Sequence, residues 1–245
     1  MSVESRSVLG VVEPDVGRAP LTRTFALVGT AGAAIAVVLI LGLHFVATDV
    51  DPVRRTISEY GLGPYKAVFD IGVLALALGT VAVTVAAVRA RLFRALSAPT
   101  VLLALFAVGM CTVVAFEKTN WSVGPSVGGY IHRYASLVAF LAMPAAAITI
   151  GHRFGRDALW SRFAAWTRRL GVVAYLWFAW ILGGFLLRPL TGRSWWQAIP
   201  LGLVERGLAL TEVLVVVVLA LWGLAAVRSP NVPPLPSAST QPKIA

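Results

Sequence analysis

Apolar residues in this chain come in long runs rather than alternating with polar ones. Six such runs, at 25–47, 67–88, 99–116, about 130–150, 170–187 and 207–227, are separated by polar segments. At about 1.5 Å per residue, a helix over each run reaches about 27–35 Å, the thickness of a hydrocarbon core. Hydrocarbon offers no partner for a backbone N–H or C=O, so each run is predicted to be a helix that satisfies its own. The expected fold is all-α: a polytopic membrane protein, a bundle of six transmembrane helices with short interfacial helices in its outer loops. A polar tail, 1–24, precedes the six-span domain, 25–227. Because that tail holds three acids, and the first run is longer than a signal-peptide core, the run is read as a retained span. The Pro- and Ser-rich tail, 228–245, is expected to be disordered.

Composition sharpens this picture. Charged residues make up 13% and hydrophobic residues 58%, whereas a soluble domain carries about 25% charge. The net charge of +10 reads as topology rather than nucleic-acid binding, since no groove of basic and aromatic residues accompanies it. With alternating loops, 13 of the Lys and Arg fall on the side of the two tails and 8 on the other. The richer side is expected to be cytoplasmic, placing both termini inside and the protein in the plasma membrane. Acids are divided the other way, four inside and seven outside. Charges on the outer side are therefore nearly balanced, which suggests pairing there. Trp121, Trp195 and Trp196 are expected to anchor the outer boundary, and Trp160, Trp166 and Trp222 the inner one, while Trp177 and Trp180 read as packing residues. The single cysteine, Cys111, is read as a small packed side chain.

The outer loop DPVRRTISEYGLGPY, residues 51–65, is unusually charged for this chain. Asp51 followed by Pro52 is a helix start, Thr56 and Glu59 match a capping box one turn later, and Gly61, Gly63 and Pro64 are stops. Val53, Ile57 and Tyr60 share one side of such a helix, so it is expected to lie in the interface with that side down. Trp195, Trp196 and Ile199 form a similar apolar side before Pro200. Both elements read as anchors or as a lid over an outer mouth.

Three sequence features resemble a known family. They are Pro52 with the run Thr56-Ile57-Ser58-Glu59-Tyr60-Gly61 after the first span, the Gly-rich approach to His132, and Glu205-Arg206 opening the sixth span. In this order and spacing they resemble the domain of unknown function 998, over about residues 25–227. The resemblance implies a multi-pass bacterial or archaeal membrane protein with six spans. It implies no activity.

Ionisable groups within spans need a partner or a purpose. Asp70 lies one turn into the second span with Lys66 four residues before it, and Asp70, Ala77 and Thr84 form a small polar stripe suited to close packing. His132 and Arg133 open the fourth span, with Ser136 on the side of His132. Glu205 and Glu212 share a face of the sixth span, Glu212 being the deepest acid, and Glu117 closes the third span. Asp70, Glu117, His132, Arg133, Glu205, Arg206 and Glu212 are expected to meet in one outer cluster, because burial without pairing is costly. Three uses compete for it. It is a structural ion-pair network, a binding or catalytic site for a lipid or apolar small molecule, or an ion- or proton-coupled path. In the second use His132 with Glu212 or Asp70 act as acid and base. Arg54, Arg55, Ser58, Glu59, Glu117, Arg133, Ser136, Glu205 and Arg206 line the site. Pro144 is expected to kink the fourth span. His44 and His132 are too few for a zinc site of the intramembrane hydrolase kind, so no metal or other cofactor is expected. Ser58 or Ser136 with His132 lacks the nucleophile elbow of a serine hydrolase. The expected partners are membrane lipids and a lipid-like ligand.

Overall fold

The computed structural model describes residues 18–229, except Trp121, Arg193 and Trp195 and the side chains of Arg18 and Thr191. Readings of the tail residues 1–17 and 230–245 and of Trp121 and Trp195 therefore lie outside the described residues. Among the described residues, six helices long and apolar enough to cross a membrane follow in order: α1 (Arg18–Val46), α2 (Lys66–Arg89), α3 (Ala98–Ala115), α4 (Val127–Phe154), α5 (Ser161–Thr191) and α6 (Leu201–Arg228). The protein is an all-α, multi-pass membrane protein.

Most helices outrun the apolar segments that announce them. The apolar run marks only the hydrocarbon slab, while the helix continues until something stops it. α1 begins at Arg18 rather than near Phe25, and α5 extends to Thr191. There Gly192, at φ 65°, turns left-handed and its N–H bonds to the Arg188 carbonyl. α6 starts directly after Pro200.

Each helix packs against the next and α6 closes back on α1. α6 also touches α2 and α4, which makes it the most enclosed span: 56% of its most apolar stretch is buried, against 17% for α5. α1 and α2 approach closely at glycines. A Cβ on Gly32 would press on the Ala75 carbonyl and lie 2.9 Å from the Gly79 Cα. Lipid tails are as apolar as leucine, so such close packing, not a hydrophobic drive, holds helices together. The α1–α2 seam runs through Gly29, Gly32 and Gly79, and of the expected stripe of Asp70, Ala77 and Thr84 it is Ala77 that is buried. Cys111 is exposed on α3 instead of packed, because that position turns away from α2 and α4.

The end of the bundle where α1 begins and α6 ends, expected to be the inner one, is closed by aromatic rings. Phe163 stacks on Trp222 at 5.6 Å, and Phe154 meets the same indole edge-on at 5.1 Å. Trp222 and Trp160 are 0% and 3% exposed, so neither is the boundary anchor expected of it. Both turn inward because α6 is central and the α4–α5 turn folds beneath it. Trp166 is exposed, with the Arg169 guanidinium 5.6 Å from its ring. Trp177 and Trp180 stack on each other at 5.9 Å, with Trp180 exposed on the outside of α5.

The loop after α1, residues 51–62, caps the end of the bundle expected to be outer and is not one continuous helix. Asp51 Oδ1 accepts the N–H of Val53 at 2.8 Å and of Arg54 at 3.3 Å, which starts a single turn. The chain then re-forms as a 3₁₀ helix over Ile57–Leu62. Val53 points outward and Tyr60 is 1% exposed, so the apolar side expected to rest on lipid is divided. The segment is pulled instead onto the start of α6. Leu203 N–H donates to the Val53 carbonyl at 3.1 Å, and a Cβ on Gly202 would strike the carbonyls of Arg55 and Pro52. In the last outer loop Ile199 is buried and Trp196 exposed.

Gly32→Val should cost about 1–3 kcal/mol through overpacking, lowering the thermal midpoint and monodisperse yield in detergent. Gly42→Val, where an added Cβ meets nothing within 4 Å, should change neither.

Candidate functional site

The opening of α6 organises the outer end. Arg206 donates through Nε to His44 Nε2 at 2.6 Å, through one terminal nitrogen to the Arg55 carbonyl at 2.7 Å and the Gly202 carbonyl at 3.0 Å, and through the other to the Tyr60 hydroxyl at 3.2 Å. Its guanidinium also lies 5.7 Å from the Tyr60 ring centroid. His44 Nδ1 lies 2.6 Å from the Ile40 carbonyl, an acceptor only. That contact puts the imidazole proton on Nδ1 and leaves Nε2 to accept from Arg206. Both ring nitrogens of His44 are thus used within the fold.

Glu205, 9% exposed, accepts the Ile57 N–H at 3.2 Å and stands within electrostatic reach of Lys118 and Arg206. Lys118 enters from the loop after α3. The loop lies so close on α4 that a Cβ on Gly129 would overlap Thr119, and Lys118 turns inward beside it. There it pairs with Glu59 and donates to Thr56 Oγ1 at 2.9 Å. Thr56 Oγ1 is 3.2 Å from Ser58 Oγ. Arg55 reaches Glu59 at 3.7 Å from the exposed side.

A second group sits beside the first. Lys66 pairs with Asp70 at 2.9 Å, the i,i+4 contact expected on α2, and reaches Glu117 at 3.9 Å. Asp70 Oδ2 takes that bond, while its Oδ1 is buried with no partner among the described residues. His132, 6% exposed, lies within electrostatic reach of both Lys66 and Lys118. Its Nδ1 faces the carbonyls of Phe116 at 2.7 Å and Val113 at 3.1 Å, at the C-terminal end of α3. Those carbonyls have no continuing helix to bond, so the imidazole closes the end of α3.

The seven charges expected in one cluster are therefore divided. Arg206 and Glu205 lock the cap segment, Asp70 and Glu117 share Lys66, and His132 binds the end of α3. Arg133 is exposed, 5.7 Å from the Tyr130 ring, and Arg54 is exposed at the rim. Glu212 lies two turns deeper than Glu205, is 1% exposed, and its Oε1 has no hydrogen-bond partner among the described residues. Ser136 donates to its own helix at the His132 carbonyl, 2.9 Å away. Among the described residues, no three of His, Cys, Asp and Glu gather at metal-binding spacing. On the exposed side of α3 and α4, an apolar groove of about 480 Å³ is lined in part by Val108, Thr112, Tyr130, Ile131 and Tyr134, with none of Asp70, Lys66, Glu117 and His132 in its lining.

Lys118 and Tyr60 are two central residues that the pattern of the chain does not single out. By position alone, one is a loop charge and the other an apolar contact. The signal that could have found Lys118 is a Lys two residues beyond an apolar run, opposite a Thr-x-x-Glu loop.

The model of a family described as protein of unknown function (DUF998) matches residues 30–222. The chain belongs to this family. The DUF998 match runs from within α1 to Trp222 and so contains the cap segment, Lys118 and the opening of α6. No curated protein and no solved structure matches the chain.

Arg206→Ala would leave Tyr60, His44 and two carbonyls without their donor and Glu205 with Lys118 as its remaining nearby cation. The expected loss is about 1–3 kcal/mol, as for hydrogen bonds to a charged group whose acceptors are left without a donor, read as a fall in thermal midpoint. Arg206→Lys should recover only part of it, since an ammonium lacks the planar fork. Arg54→Ala should have no effect.

Proposed function

We propose that the polar interior beneath the outer cap binds the polar group of a lipid or apolar small molecule. One observation carries this reading: Asp70 Oδ1 is a buried carboxylate oxygen without a partner among the described residues, while Oδ2 of the same group is taken by Lys66. A buried orphan acceptor costs about 1–3 kcal/mol, and a hydroxyl or amide of a ligand would offset it. Lys66, Glu117 and His132 supply further donors and acceptors nearby, and the groove between α3 and α4 is apolar and suits an alkyl or ring system. In this reading Ser58, Glu59 and Arg55 of the cap are candidate ligand contacts, as are Arg54, Arg133 and Ser136.

A second reading, an enzyme acting on such a ligand, is favoured by His132. The α3 carbonyls hold its proton on Nδ1, which leaves Nε2 as an acceptor and candidate base, with the Asp70 carboxylate as the second acid–base group of the pair.

The basic residues support a plasma-membrane protein with both tails, 1–24 and 228–245, in the cytoplasm and the cap segment outside. In a Cys111→Ala background, Ser122→Cys should react with an impermeant maleimide on intact cells, and Ala158→Cys only after permeabilisation. The reverse pattern would invert the topology.

Wild-type protein purified from its membrane should retain a particular lipid class or apolar metabolite by mass spectrometry. Asp70→Asn with His132→Ala should reduce it at least tenfold, about 1.4 kcal/mol, at unchanged monodispersity. Equal lipid content in both proteins would defeat the ligand reading. Turnover of that molecule by wild type but not by His132→Ala would select the enzyme.

A further inference from the structure

Glu212 is the deepest acid among the described residues, 11 residues beyond Leu201, or about 16 Å along α6. It is 1% exposed and its Oε1 has no hydrogen-bond partner among those residues. α6 packs against α5, α1, α2 and α4. Of the titratable groups on these helices, Tyr175 of α5 stands within electrostatic reach of Glu212. No cation among the described residues acts on it. Tyr175 is itself engaged, donating to the Leu141 carbonyl of α4 at 3.0 Å. On α6 the next acid, Glu205, is two turns above on the same face, with the fully buried Leu208 between them.

Three states are open to such a carboxyl group. A bare carboxylate without a counter-charge in hydrocarbon costs several kcal/mol or more and is not sustained. A metal cation needs about six oxygen ligands, and among the described residues Glu212 belongs to no group of three or more His, Cys, Asp and Glu that could hold one. A proton needs neither room nor further ligands, and it removes the charge. We propose that Glu212 is a proton-binding site within the membrane, set apart from the ion-paired outer interior and independent of any ligand bound there. It gives the bundle a protonatable group at a depth where gaining or losing the charge must be matched by a change in packing or hydration. A proton-coupled step in this protein would act through that group.

The test uses the full chain in lipid nanodiscs and infrared spectroscopy at neutral pH. The wild-type protein should show the C=O stretch of a protonated carboxylic acid. The band should shift when the glutamate carboxyl carbon is isotopically labelled, persist in Glu205→Gln, and vanish in Glu212→Gln. Glutamine has the shape of the neutral acid, so Glu212→Gln should fold at wild-type yield. Should it not, the labelled wild-type protein and Glu205→Gln still decide. Absence of a protonated glutamic acid band from the wild-type protein, or its survival in Glu212→Gln, would overturn the proposal. So would its loss in Glu205→Gln with Glu212 intact.

Discussion

The outer half of this protein hangs on the first two turns of α6. A helix N-terminus presents N–H groups with no partner in their own helix, and at a membrane boundary they cannot rely on water throughout. Here Leu203 gives its N–H to the Val53 carbonyl, Glu205 takes the N–H of Ile57, and Arg206 reaches the Arg55 carbonyl. Three adjacent contacts stitch the loop after α1 onto the sixth helix, and Gly202 permits the close approach. Glu205 near this end also faces the positive pole of the α6 dipole. The cap, the inward turn of Lys118 and the polar interior beneath all follow from that junction.

The two ends of the bundle are closed by different physics. At the inner end, Phe154, Trp160, Phe163 and Trp222 fill space by ring packing. At the outer end, hydrogen bonds and ion pairs close it, linking charged side chains to one another, to polar side chains and to backbone. A ring cluster tolerates no water and offers no chemistry. A polar network can exchange a partner for a ligand group, which is why the orphaned oxygen of Asp70 matters at this end.

Several site features are legible in the chain itself. Lys66 with Asp70 follows from i,i+4 spacing, and the depths of Glu205 and Glu212 follow from counting along one helix. Arg206 is visible as a charge, but its four acceptors come from α1, the cap and α6 itself, separated by up to 162 residues in sequence. Local pattern assigns Tyr60 to lipid, because an isolated helix there would face it so, and Trp222 to the boundary, because its position in the chain is near one. Neither assignment can include which neighbour covers the side chain.

Local periodicity and composition settle what depends on solvent: six apolar runs of membrane length, their helical state and the charge asymmetry across them. These follow from hydrocarbon's inability to hydrogen-bond, which acts on each segment alone. The partners of Arg206, the division of the outer charges into separate groups and the inward turn of Trp222 and Lys118 belong to the assembled bundle. They depend on which helix faces meet and how closely, and glycine contacts far apart in the chain decide that jointly.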